Sequence, residues 1–256
     1  MHQQPNILKD GPVWELFFND FMLLRDFIEG ELLDIRDYVF RGQSNSEWKL
    51  TTSLDRLIRH ARETGVKQGS IDDFVNKHLE RFKLEIRGRR GDNPPKLEEN
   101  ELWALGQHYG LATPLLDWSL SPYIALFFAL ESISRENDTR ALWCLNRRKV
   151  DMINTDLNEW EWLEFIVPNS DENKRLLGQS GLFSKGPVMN HVDDWVREKA
   201  ANASKVLIKI TFPGDRGFRK PALKKLQLMN ITHSTLFPDL SGASLFCNII
   251  AEDYEV

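Results

Sequence analysis

The stretch from Ser121 to Leu130 restricts the fold more than any other part of the chain. Its body, Tyr123-Ile124-Ala125-Leu126-Phe127-Phe128-Ala129-Leu130, carries no charge and is apolar on most sides, so as a helix it must be deeply buried. Its start has helix chemistry: Ser121 offers an N-cap hydroxyl, and Pro122 suits the first helical position. Thr139 to Leu145 and Lys205 to Phe212 read as strands, the second with apolar alternation at Val206, Ile208 and Ile210. The sum is a mixed α+β domain.

Elsewhere, Val13 to Leu33 places Trp14, Phe17, Phe18, Phe21, Leu24, Phe27 and Ile28 at helical spacing, which predicts an amphipathic helix. Tyr38 to Arg41 reads as a short strand, Gly42 to Glu47 as a polar turn, and Trp48-Lys49-Leu50 as extended chain. Leu54 to Glu63 is a predicted helix. Ser70 and Asp73 suggest a capping box opening another towards Arg87. Gly88 to Pro95 is a loop, and Leu97 to Tyr109 a helix stopped by Gly110. A helix from about Pro221 to Met229, the run Leu236 to Leu240 and a final helix close the chain. One domain over 1–256 is expected, with a helical segment at 1–35. An irregular insertion at 147–178, rich in Trp and acids, is the candidate for target recognition.

At 256 residues the chain can bury a substantial core. A net charge of −5 argues against wholesale coating of nucleic acid but leaves room for a local basic patch. Cys144 and Cys247 form no CxxC pair, so neither a disulfide framework nor a thiolate zinc site is expected, and Cys144 reads as core. No apolar run reaches the roughly 18 residues of a membrane span. The first residues lack a secretory pattern, so a cytoplasmic protein without a membrane partner is expected.

Two islands set polar groups among large apolar residues: Tyr38-Val39-Phe40-Arg41-Gly42-Gln43 and Gln107 to Ser119. Such groups need hydrogen-bond partners, either one another or a ligand. Arg41 could grip a phosphate or carboxylate bidentately, or form a structural salt bridge with Asp117. Gln43 could read a nucleotide edge or cap its turn. His108 and Tyr109 could stack on a ligand, or His108 could simply suit a helix C-terminus. Ser119 to Ser121 could bring an anion to the start of the buried helix, with Ser121 capping it in either case. Arg81, Lys83, Arg87, Arg89 and Arg90 could touch nucleic acid or form a solvated helix face. No second His stands at metal-ligand spacing, and no phosphate loop, GxSxG or HExxH occurs, so no metal is expected. A nuclease is disfavoured by the lack of a paired-carboxylate metal site.

Phe40-Arg41-Gly42-Gln43 with Trp48, Leu50, Ser53, Leu54 and Arg56 resembles the signature of the bacterial and phage FRG domain family. Gln107 to Leu111 with Thr113, Leu115-Leu116-Asp117-Trp118 and Ala125 to Ala129 is similar to its second block. Gln179, Gly181 and Phe183 resemble a third, and Thr235 to Gly242 a fourth. The order of blocks looks like an ADP-ribosyltransferase, with a small sheet core wrapped by helices. The resemblance implies NAD as substrate. Arg41 would hold pyrophosphate or ribose; Tyr109, Asp117 and Ser119 would line the nicotinamide end; Gln179 would take the last position, usually Glu. These make Arg41, Tyr109, Asp117 and Gln179 the catalytic set. Gly42, Gln43, His108, Trp118 and Phe183 join Arg41, Tyr109 and Ser119 in the binding set. Gln179 lacks the full negative charge that stabilises a ribosyl cation, so the acid could come from Glu172, Asp117 or Asp239. The implied protein is a mono-ADP-ribosyltransferase, a toxin or anti-phage effector, acting on a macromolecule (RNA, DNA or protein) and paired with an antitoxin or inhibitor protein. The alternative is a non-catalytic nucleotide or nucleic-acid sensor.

Overall fold

Val13 to Phe17 forms strand, not helix. The computed structural model describes residues 6–32, 37–65, 69–132, 138–168, 178–237, 240, 242–244 and 247. In it β1 (Asn6–Lys9) and β2 (Val13–Phe17) precede α1 (Phe21–Glu31). The apolar spacing of this segment fits a helix, but the parallel ladder from Val13↔Leu207 to Phe17↔Thr211 takes its first half. Asp20 then caps α1, its Oδ1 accepting from the Met22 and Leu23 amides at 2.7 and 3.2 Å. The expected helical segment at 1–35 thus contains two strands and one helix.

The remaining elements follow as β3 (Tyr38–Gln43), α2 (Ser53–Glu63), α3 (Ile71–Glu85), α4 (Glu99–His108), β4 (Leu115–Ser119), α5 (Pro122–Leu130) and β5 (Thr139–Asn146). After them come α6 (Arg147–Asn154), β6 (Glu164–Ile166), β7 (Gly181–Lys185), α7 (Val192–Lys199), β8 (Leu207–Pro213), α8 (Arg216–Leu228) and α9 (His233–Leu236). Three expectations shift. β3 runs on through Gly42 and Gln43, which pair with Leu142 and Ala141 and displace the predicted turn. The segment 147–178, expected to be irregular, carries α6, β6 and a single helical turn at Glu159–Glu161, while 169–177 lie outside the described residues. α8 begins before Pro221, because Asp215 caps it by accepting from the Phe218 amide at 3.0 Å. The final helix falls largely on residues outside the described set.

Among the described residues eight strands form one mixed sheet in the order β1-β2-β8-β5-β3-β4-β7-β6. One face packs on α1, α5 and α8 through Phe40, Leu142, Cys144 and Ile210; the other carries Val39, Trp118 and Trp143, which cluster with Trp195 of α7. Cys144 is fully buried, and burial pushes its thiol far up. Among the described residues no helix is long and apolar enough to cross a membrane. α3 is largely exposed, with Lys83 paired to Glu80 at 2.7 Å.

α5 is buried as its composition requires, with Ser121 accepting from the Ile124 amide at 3.3 Å. Two guanidinium groups close its other end. Arg140, 1% exposed, donates to Ala129 O at 2.6 Å and Ser132 O at 2.9 Å. Arg219 donates to Leu130 O at 2.7 Å and Glu131 O at 3.1 Å. Arg140→Met would leave buried carbonyls unsatisfied, so a loss of about 3 kcal/mol is expected, read as a lower urea midpoint at unchanged slope.

Candidate functional site

The sheet is nearly parted between β3 and β4. β3 pairs with β5 over its whole length, and β4 with β7 likewise, but the two strands meet only at Phe40↔Ser119. Beyond that pair they diverge, and a cleft of about 890 Å³ opens between Arg41–Gln43 and Asp117–Trp118. Residues far apart in sequence meet here. Arg41, Gly42, Gln43, Asp117, Trp118, Ser119 and Gln179 all line it.

Arg41 bridges the gap. With the ladder broken, its Nη1 donates to the Asp117 carbonyl at 2.8 Å and lies 3.6 Å from the Asp117 carboxylate. Its side chain is 24% exposed, and Nε is buried without a hydrogen-bond partner among the described residues. Burial pushes the guanidinium below its ordinary value, Asp117 raises it, and Arg56 lowers it again. An arginine nevertheless stays charged. Its environment therefore holds a cation with an unused donor.

Asp117 is oriented from behind. Gln107 Nε2 donates to its Oδ1 at 2.8 Å, while Gln107 Oε1 accepts from Thr113 Oγ1. Thr113 is anchored in turn, its amide donating to Ser53 Oγ at 2.9 Å. The carboxylate remains 62% exposed to the cleft. Sequence reasoning placed Gln107 in the motif but gave it no role. A glutamine ten residues before an aspartate is no signal until α4 folds back onto β4.

Several predicted residues line the cleft with polar groups already engaged within the protein. Gln43 is buried, accepting from Trp143 Nε1 at 2.7 Å and donating to Lys49 O at 3.2 Å, so both ends of its amide are engaged. Ser119 Oγ donates to Gln179 O at 2.8 Å and accepts from the Ser121 amide at 3.1 Å, fastening the turn before β7 to the start of α5. Gln179 Nε2 donates to Leu236 O at 3.4 Å. Trp118 lines the cleft while its Nε1 donates to Ser184 Oγ at 2.8 Å.

Three residues are not brought in. Tyr109, 73% exposed, stacks edge-on against His108 at 4.8 Å, and neither lines the cleft. The reason is local: Tyr109 caps α4, and Gly110 at φ +86° turns the chain there. Phe183 is core, packed with Trp103 and Leu115, and its backbone pairs with Asp117. Glu172 and Asp239, named as alternative acids, lie outside the described residues.

The cleft also contains residues that the sequence reading gave no place in the site, although Trp48 and Arg56 belong to the matched signature. α2 presents Arg56 and Arg59 one turn apart, and Lys49 and the half-exposed Trp48 line the same wall. Arg56 donates to Thr51 O at 2.9 Å. Arg59 meets His191 Nε2 at 2.9 Å; since a guanidinium only donates, the ring accepts there and donates from Nδ1 to Thr51, 3.1 Å away. Opposite them stand Phe128, Phe237 and Glu131. Glu131 Oε2 lies 3.0 Å from His233 Nε2. Burial pushes the Glu131 carboxyl up while His233 pulls it back, with a net rise. Phe40-Arg41 did mark one wall in sequence, but a lone Glu after an apolar helix did not mark the other.

An α+β domain whose single sheet parts around a cation-lined cleft is the class that fold and site define. Residues 36–138 match the family model described as the FRG domain. That stretch runs from the start of β3 past α5 and holds the walls built by Arg41, Arg56, Asp117 and Glu131, whereas Gln179 and Phe237 fall beyond it. No curated protein and no solved structure matches the chain. The ADP-ribosyltransferase-like order of motifs therefore rests on resemblance alone.

Proposed function

We propose that this protein is a mono-ADP-ribosyltransferase that takes NAD⁺ into the β3–β4 cleft and transfers ADP-ribose to a macromolecule, as a toxin or anti-phage effector does. The observation that carries this reading is Arg41: a charged, largely buried guanidinium with an unpartnered Nε, at the wall of a cleft that also holds Arg56 and Arg59. A diphosphate supplies acceptors for such a set. In the reaction the bond between ribose C1′ and the nicotinamide nitrogen breaks, and its electron pair leaves with nicotinamide. An O–H or N–H of the acceptor then attacks C1′, and its proton passes to a carboxylate or water. Asp117 is the carboxylate held for this role, because Gln179 is a neutral amide already donating to Leu236 O.

Incubation with labelled NAD⁺ and cell lysate tests the reading through label transfer to nucleic acid or protein and through nicotinamide release. Wild type indistinguishable from Arg41→Ala in both would overturn it. Binding of intact NAD⁺ without release would favour the sensor alternative, which the neutral Gln179 also suits. Gln107→Ala should lower turnover about 10- to 100-fold, since a carboxylate freed from its orienting bond is misplaced by an ångström or more. Its melting temperature should fall far less than that of a core variant.

A further inference from the structure

The two walls of the cleft carry opposite chemistry, and they arise on opposite faces of the sheet. Successive strand side chains alternate in direction. Val39 belongs to the Trp143 cluster and Gln43 bonds Trp143, so Arg41, between them, leaves β3 on that face, towards Arg56 and Arg59 of α2. Phe40 and Gly42 face α5, where Ala125, Phe128 and Glu131 recur every third residue along the cleft. On this second side, besides the Asp117 carboxylate already described, stands Glu131, 32% exposed, with His233 at 3.0 Å behind it. Phe128 and Phe237 stand beside it, edge to face at 6.0 Å.

Resting on the reading of the cleft as an NAD⁺ site, we infer that the ligand is bound with fixed polarity: the anionic diphosphate faces Arg41, Arg56 and Arg59, and the cationic pyridinium ring lies against Phe128 and Phe237 beside the Glu131 carboxylate. A flat cation is attracted both to aromatic faces and to a carboxylate, whereas an electron-rich neutral ring gains nothing from the latter. Glu131 thus distinguishes the oxidised dinucleotide from the reduced one. Its carboxylate is kept in place by His233, and its backbone by Arg219.

Calorimetry with the non-cleavable carbocyclic analogue of NAD⁺ and with NADH tests this on the full chain. Wild type should prefer the cationic analogue, and Glu131→Gln should weaken that ligand about tenfold while changing NADH less than about twofold. Glu131→Asp, which keeps the charge, should retain most of the preference. Equal loss for both ligands in Glu131→Gln, or no loss for either, overturns the polarity. Wild-type binding without discrimination overturns the polarity but leaves the NAD⁺ site standing. Failure of wild type to bind either dinucleotide overturns the site itself and the polarity with it.

Discussion

Arg41→Ala is expected to abolish nicotinamide release, by at least about 100-fold, while leaving the protein folded. The two halves of this expectation have separate causes. Arg41 carries the unpartnered buried Nε and the charge nearest the split between β3 and β4, so on the proposed reading its removal takes away the central anion ligand. Its contribution to the fold is small. The ion pair with Asp117 is long at 3.6 Å, and the carboxylate is mostly solvated. Such a pair contributes about 0–1 kcal/mol. Arg56 acts on Arg41 as a like charge, which truncation relieves. The melting temperature should therefore move by less than about 5 °C. Arg41→Lys keeps the charge but not the planar fork, and should recover only a minor part of the activity. If Arg41→Ala instead unfolds the protein, the residue serves the structure and the bland reading of its salt bridge prevails.

Gly42→Ala should have the opposite profile: loss of the folded protein before any loss of chemistry can be measured. A Cβ at position 42 would stand 1.8 Å from Ala125 O and 2.6 Å from the Ala129 amide nitrogen. Both are backbone atoms of α5, so no side chain can swing aside, and the helix must back away from the sheet. α5 cannot do so cheaply. It packs against Phe40, Leu142 and Phe212 in the main core, and its C-terminus is tied by Arg140 and Arg219. Overpacking of this kind reaches about 4 kcal/mol or more when backbone must shift. Soluble yield and urea unfolding measure it; a midpoint within experimental error of wild type would show that α5 is free to move. Gly42 was expected to open a polar turn; the structure instead uses it for the close approach of α5.

Local rules therefore made some of this protein legible and left other parts dark. The buried helix α5 and its Ser121-Pro122 start, the strands β5 and β8, and the core position of Cys144 follow from composition and period, because burial and capping depend on neighbours within a turn or two. The same logic failed at Val13–Phe17, where apolar spacing fits both a helix and a strand. The parallel partner Leu207–Thr211, some two hundred residues away, decided between them. Tyr109 fell outside the cleft for a comparable reason: Gln107, two residues earlier, supports the site through Asp117, but a cap and a left-handed glycine turn Tyr109 away.

Sequence alone marks an α+β chain with a buried apolar helix, and Arg41 and Asp117 as polar residues out of place in a plain core, with Gln179 marked only by the family resemblance. Tertiary structure alone decided that they meet. Their convergence depends on β3 and β4 parting after a single shared pair, a property of strand twist and of the partners each prefers, which no one segment encodes. It also decided which acid faces them. Glu131 acquires its position from the length of α5 and from two arginines donated by β5 and α8, so its place in the cleft is fixed by packing rather than by motif.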